Sequence, residues 1–343
     1  MDLRHECTAR NSPWIAHQWP LPTRHHVRIG REVDLPALER KGMSVTAANE
    51  PDSMSFEIPG VLWRRDPRAP EVPLVFDSPH SGSEYPEDFR FCCSLDVLRT
   101  AEDAYVDELY AAAPELGATL IGAVFPRSYL DPNRAADDLD TMHIDGTWPT
   151  PLSPSHRTRA GLGLVRRVAR PGIPIYDRKL TAAEVMARVE RCHAPYHRVL
   201  DEACDRAHRK FGTVWHVNCH SMPSQRSGKK GGRCADFVLG DRDGTTCAPE
   251  FTDFVAGVLR GRGYTVRINE MYKGVEIVKR QGRPAANRHS LQIEVDRALY
   301  MDQKTLEKTR GFGRLQADIT FMIEALKGFA SGRLEERTCA AAE

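Results

Sequence analysis

Apolar residues in this chain fall into short blocks separated by longer amphipathic stretches. Val72, Leu74, Val75 and Phe76 form a compact apolar run between prolines, the pattern of a strand buried on both faces. Residues 118–125, ATLIGAVF, form a second such run, and Thr213 to Cys219, TVWHVNC, a third. DFVLG at 236–240, residues 264–268 and SLQIEV at 290–295 complete the set of strands. Residues 93–113 read as a helix, with Thr100 and Asp103 spaced as a capping box. Thr181 and Glu184 form a second box, launching a helix that Pro195 interrupts and that resumes to about Lys210. Further helices are predicted over 249–262 and 306–329, while 271–284, MYKGVEIVKRQGRP, reads as a loop or hairpin. Gly and Pro punctuate 138–174, predicting a lid or rim. Strands alternating with helices predict an α/β fold with a mainly parallel or mixed central sheet flanked by helices. Residues 1–55 hold no sustained period and predict a disordered extension, with Met43 and Met54 as alternative starts. Residues 56–335 then form a single domain and 336–343 a tail.

Charge narrows the partners. With 48 basic and 47 acidic residues the formal net charge is +1, which gives no general pull toward nucleic acid or an anionic membrane. No apolar run approaches the roughly 20 residues of a membrane-spanning helix. The 9 cysteines are scattered and form no Cys-x-x-Cys pair, as expected of reduced thiols in a cytoplasmic protein. Cys219 adjoins His220, but neighbours on a strand point to opposite faces, which argues against a nucleophile–base pair.

The chemistry gathers at the strand exits. The first strand ends at His80, the second leads to Asn133-Arg134, the third ends at His220, and the late strand carries Glu294. Open α/β sheets place ligands at this carboxyl edge. Two histidines and a carboxylate are the usual protein ligands of a catalytic zinc. A further carboxylate can take a proton from water, and an arginine can hold a substrate carboxylate through paired hydrogen bonds. Glu294 lies between Ile293 and Val295 in an apolar strand; pairing with Arg297 is the alternative to catalysis. No compact HExxH motif is present.

From about Val72 to Asp302 the chain resembles the N-formylglutamate amidohydrolase (deformylase) family. The matching segments, in family order, are SPHSGSEYP, EDAYVDELY, RSYLDPNR, IYDRKLT, PYHRVL, CHSMPS, DFVLGDRDGTTC, YKG and GRPAANRHSLQIEVDRALYMD. The resemblance implies a zinc carboxypeptidase-like fold and release of formate from N-formyl-L-glutamate, a step in histidine breakdown. It also implies one zinc ion as cofactor and a small anionic substrate. Alternatives on the same scaffold are an amidohydrolase for another N-acyl amino acid or short peptide-like amide, or a non-catalytic metal- or metabolite-binding homologue.

Carried over by position, His80 and His220 are the implied imidazole ligands. Asp103 is the third, although its spacing from Thr100 also suits a helix cap; Asp107 and Glu84 are the other candidates. Glu294 is the implied general base. Asn133 and Arg134 resemble the Asn-Arg pair with which carboxypeptidases hold a terminal carboxylate. A formylglutamate-like substrate has a second carboxylate, for which Arg283 is the first candidate, followed by Arg127, Arg280 and Lys273. Asn218 departs from the family's usual aspartate before CHS and removes a negative charge near the implied metal. The basic loop Arg226 to Arg233 reads as a solvated loop.

Overall fold

A computed structural model of the chain describes residues 55–224 and 235–342. The expected extension, apart from Ser55, and the basic loop at 226–233 lie outside the described residues. Eight strands make one sheet: β1 (Phe56–Ile58), β2 (Leu62–Arg65), β3 (Leu74–Ser78), β4 (Thr119–Ala123), β5 (Val214–Met222), β6 (Phe237–Gly240), β7 (Val266–Ile268) and β8 (Arg288–Asp296). Their order is β1-β2-β4-β3-β5-β8-β6-β7. The central four, β4-β3-β5-β8, are parallel. β2 runs antiparallel to β4, and β6 antiparallel to β8. The sheet is therefore mixed, with a parallel centre whose carboxyl ends share one edge. The β1-β2 hairpin was not predicted, because strands of three and four residues carry too little periodicity to register.

The helices are α1 (Leu95–Arg99), α2 (Val106–Leu109), α3 (Ala182–Arg188), α4 (Ala194–Phe211), α5 (Pro249–Gly261), α6 (Glu276–Gln281) and α7 (Gly311–Ala342). One core packs Leu74, Phe76, Val217 and Ile293 with residues of α5 and α7. The other packs Val75, Ile121 and Val214 with residues of α3 and α4. Successive strand residues thus feed opposite cores, as a strand of period two requires.

Several elements differ from the sequence reading. The predicted helix over 93–113 is broken: Tyr105 takes a left-handed conformation at φ 64°, and Asp103 falls in the gap between α1 and α2. Thr100 closes α1 instead of opening a helix, its hydroxyl donating to the Val97 carbonyl at 2.6 Å. Thr181 and Glu184 do form the predicted capping box. Pro195 does not interrupt the following helix. A π-turn at Val189–His193 carries the chain into α4, and Pro195 sits in the first turn, where its missing N–H costs little. Residues 276–281 are helical, because Ile277 and Val278 have core to bury against. α7 begins at Gly311 and continues through the stretch expected as a tail. The loop-rich region holds short pairings and two brief helical turns, Thr141–His143 and His156–Arg159, and residues 160–172 contribute to the wall of a cleft at the sheet edge.

The turn after β3 is pressed against the exit of β4. A Cβ on Gly82 would lie 2.3 Å from the Phe125 carbonyl oxygen, and Glu84 N–H donates to the Val124 carbonyl at 2.9 Å. Gly82→Ala is expected to destabilise the protein by about 1–3 kcal/mol. Gly257→Ala in α5, where a Cβ meets nothing within 4 Å, should be stabilising, because alanine favours helix. Thermal unfolding of both variants checks this contrast.

Candidate metal centre and active site

A polar stripe climbs the middle of the sheet toward its carboxyl edge. His216, Asn218 and His220 alternate along β5 with Val217 and Cys219, which join the opposite core. Across the parallel ladder Ser290, Gln292 and Glu294 of β8 stand in register with those three polar residues. On the other side Asp77 of β3 pairs with Asn218. The stripe opens into the cleft at its top, where His220 and Glu294 lie. Cys219 faces the other way, and burial pushes its thiol well above the usual range, so it is no nucleophile.

His80, Asp103 and His220 come together at this edge, with one donor atom of each within 4.8 Å of the others. Asp103 Oδ2 lies 3.3 Å from His80 Nδ1 and 3.0 Å from His220 Nδ1. The far nitrogens are committed elsewhere: His80 Nε2 meets Asp131 Oδ1 at 2.6 Å, and His220 Nε2 meets Asn218 Oδ1 at 2.7 Å. The Asn218 amide is oriented by its Nδ2, which donates to Asp77 Oδ1 at 2.8 Å. Both far partners are acceptors, so each neutral ring carries its proton on Nε2 and turns a bare Nδ1 toward the carboxylate. Three electron pairs then converge on one point, which asks for a cation. Zinc ligands at about 2.0 Å in a tetrahedron stand about 3.3 Å apart, close to the spacing of these atoms. The donor set fits a divalent metal.

The remaining groups hold these ligands still. Asp103 is pulled out of the helix by its partners: Arg297 donates to Oδ1 at 2.8 Å, and the Asp103 N–H donates to the His80 carbonyl at 2.9 Å. Arg297 also donates to Ser221 Oγ and the Thr100 carbonyl, both at 3.0 Å. The cap expected of Asp103 is thus replaced by side-chain pairing. Asp107 and Glu84 do not join the cluster; Glu84 is exposed, and Asp107 N–H donates to Ser81 Oγ. Burial opposes charge on Asp131, but Arg127 and His80 outweigh it and hold the carboxyl well below the usual range.

Glu294 faces the cleft beside the cluster, with Oε1 accepting from Gln292 Nε2 at 3.0 Å. Burial raises its carboxyl to about 7, with the charge of Asp103 adding to the effect. The pairing with Arg297 considered from the sequence is absent, since that guanidinium serves Asp103. Asn133 lines the cleft, but its amide is spent on the protein: Oδ1 accepts from Ile277 N–H at 2.9 Å, and Nδ2, beside the His220 ring, donates to Asn218 Oδ1 at 3.5 Å. Arg127 also lines the cleft and is anchored on Asp131 at 2.9 Å. Arg134 faces the cleft without an ion pair among the described residues. Arg283 does not reach it: the residue is exposed in the turn that precedes β8, at the amino end of the strand. Arg280 is likewise remote, paired with Asp201, whereas Lys273 lines the cleft while paired with Asp243.

Sequence reasoning missed three supports. Arg297 was weighed only as a partner of Glu294, and neither Asp131 nor Asp77 was placed at the site. The DPNR run held a signal for Asp131: an aspartate two residues before Asn133 shares its turn, and Asn133 N–H donates to Asp131 Oδ1 at 3.0 Å.

Histidine and aspartate ligands at the carboxyl edge of a mixed sheet, with a buried glutamate facing the same cleft, define the site of a metal-dependent hydrolase. Residues 72–301 match the model of the N-formylglutamate amidohydrolase family. The chain belongs to that family. It is 29% identical over 243 residues to an N-formylglutamate deformylase of Pseudomonas aeruginosa, covering 68% of this chain and 84% of that protein. A deformylase of the same name from Pseudomonas putida is 28% identical over 237 residues, covering 68% and 83%. The crystal structure of N-formylglutamate amidohydrolase from Ralstonia eutropha JMP134 superposes with a TM-score of 0.77 at 47% identity, covering 79% of this chain and 99% of that one.

Asp77, which accepts from Asn218 Nδ2 at 2.8 Å, brings a buried carboxylate behind that amide. Asp77 is buried, yet hydrogen bonds from His216, Asn218 and Tyr196 outweigh the burial and hold its carboxyl below the ordinary 3.8. A depressed carboxyl contributes stability in full above its unfolded value and loses it as pH falls through the folded one. Asp77→Asn should therefore destabilise the protein at pH 7, at about 1–3 kcal/mol for each donor left unsatisfied. The difference from the parent chain should shrink as pH drops below about 4, where Asp77 of the unfolded chain takes up a proton, and vanish once the folded carboxyl is protonated at lower pH. Thermal unfolding across pH measures both effects.

Proposed function

We propose that the chain is a zinc-dependent amidohydrolase that converts N-formyl-L-glutamate to formate and L-glutamate, acting in the cytoplasm. The observation that carries this reading is Glu294, a buried carboxylate facing the cleft next to three ligand atoms whose tautomers are already set. The names of the relatives support the substrate. The seven described cysteines are all free thiols, in keeping with a reducing compartment.

His80, Asp103 and His220 would hold a zinc ion, which would supply Lewis acidity toward the formyl oxygen and make water a stronger acid. Glu294 accepts the proton of the attacking water as the new C–O bond forms. It returns that proton to the amide nitrogen as the C–N bond breaks, so formate and glutamate leave and the carboxylate is restored. Burial suits Glu294 to both halves of this exchange, because a carboxyl raised toward neutral pH releases a proton as readily as it takes one. Arg134 holds a substrate carboxylate. Arg127, fixed by Asp131, offers a rigid cation on the same side, and Asn133 positions the His220 ring rather than the substrate.

Formate release tests the reading. Chelation of the metal should abolish turnover, and added zinc should restore it. Glu294→Gln should lower kcat by about 10²- to 10⁴-fold while zinc content stays at the parent level. Full activity in metal-stripped protein, or an unchanged kcat in Glu294→Gln, refutes the mechanism.

A further inference from the structure

The cleft encloses about 1200 Å³, and its cations differ sharply in how they are used. Arg297 is spent on Asp103, Arg127 on Asp131 and Lys273 on Asp243. Arg170 donates to Thr100 Oγ1. Arg157 and Lys304 lie exposed on the rim, where water solvates them. Arg134 and Arg166 stand apart. Each has a buried Nε without a hydrogen-bond partner, and neither guanidinium makes an ion pair among the described residues. Burial, followed by the repulsion of Arg127, lowers Arg166 to about 9, with Arg134 adding to the repulsion. Two partly buried guanidiniums without counter-ions are costly to keep unless something anionic completes them.

We propose that Arg166 is the second carboxylate-binding residue of the cleft: it takes the side-chain carboxylate of a dicarboxylic N-acyl amino acid while Arg134 takes the α-carboxylate. This rests on the amide-hydrolase reading of the same site. Arg134 follows Asn133, which touches His220, so its station is the one tied to the metal ligands. Arg166 comes from the 160–172 segment of the wall and brings the other unpaired guanidinium into the same cleft, left for the side-chain carboxylate. The role expected of Arg283 passes to it. Each guanidinium can meet a carboxylate through two parallel hydrogen bonds, which selects for a planar anion at both ends of the substrate. Specificity of this kind is steep, because a substrate lacking the second carboxylate leaves a buried cation unpaired.

The test uses the full zinc-loaded chain and compares N-formyl-L-glutamate with N-formyl-L-glutamine, which differ only in that carboxylate. The parent should prefer the former, and Arg166→Gln should lower the ratio of the two kcat/KM values by about 10- to 100-fold, mainly through KM. Arg166→Lys should recover part of the loss. A folding defect lowers both substrates together and leaves the ratio alone. An unchanged ratio in Arg166→Gln overturns the proposal, as does a parent enzyme without preference. If the parent hydrolyses neither substrate, the hydrolase reading fails, and calorimetric binding decides the proposal by itself. Glutarate, which has the same carboxylate spacing, should then bind the parent more tightly than butyrate, and Arg166→Gln should erase the difference. Equal binding of the two acids to the parent overturns it.

Discussion

Electron pairs on His80 Nδ1, His220 Nδ1 and Asp103 Oδ2 converge in a buried space, and without a cation between them they repel. The surrounding structure is arranged to hold that unfavourable geometry. Asp131 and Asn218 each accept a hydrogen bond from the far side of a ring, and so fix which nitrogen is bare. Arg297 grips the second oxygen of Asp103 and keeps the carboxylate turned inward. None of these three supports touches the ligand point itself. They act by denying each ligand any other orientation, which is how an outer shell tunes a metal site.

The sheet supplies the rest by simple periodicity. A residue every second position along β5 and β8 faces the same side, so one polar stripe can run through an apolar sheet without disturbing the core behind it. Its lower end is closed by Asp77, His216, Tyr196 and Ser290, all hydrogen-bonded to one another in the interior. Its upper end is open and carries His220 and Glu294. The same alternation that stabilises the fold therefore delivers a buried glutamate and a histidine of the ligand cluster to one edge. Asn218, the departure from the family pattern, fits this scheme because Asp77 stands behind it and sets the direction of its amide.

Much of this was legible in the chain. His80, His220 and Glu294 could be placed because each lies on, or two residues past, a strand with an unambiguous apolar pattern. Asp103 was legible as a candidate and misread as to its surroundings, since local spacing favours a capped helix and only distant charges break it. That is a tertiary override of a local signal. Arg283 was chosen for its motif, yet the motif sits at the opposite end of β8 from the cleft. Arg166 carries no motif, and its significance lies in an absence of counter-charge that only the packed structure can display. The helix over 276–281 escaped for a related reason: six residues rich in cations look like a loop until Ile277 and Val278 find a core.

Arg297 has a further consequence through its place in the chain. Its contact with Asp103 spans 194 positions, and that between Asp103 and His220 spans 117. Contacts of such length form late, after loop closure over most of the domain. The ligand point therefore comes into being only when the last strand of the sheet has docked. A nascent chain carries Asp103 and both histidines from position 220 onward, yet lacks the means to orient them until Arg297 has been made. The cluster is thereby completed only after most of the polypeptide has been made, and the arginine that follows β8 acts as the closing clasp.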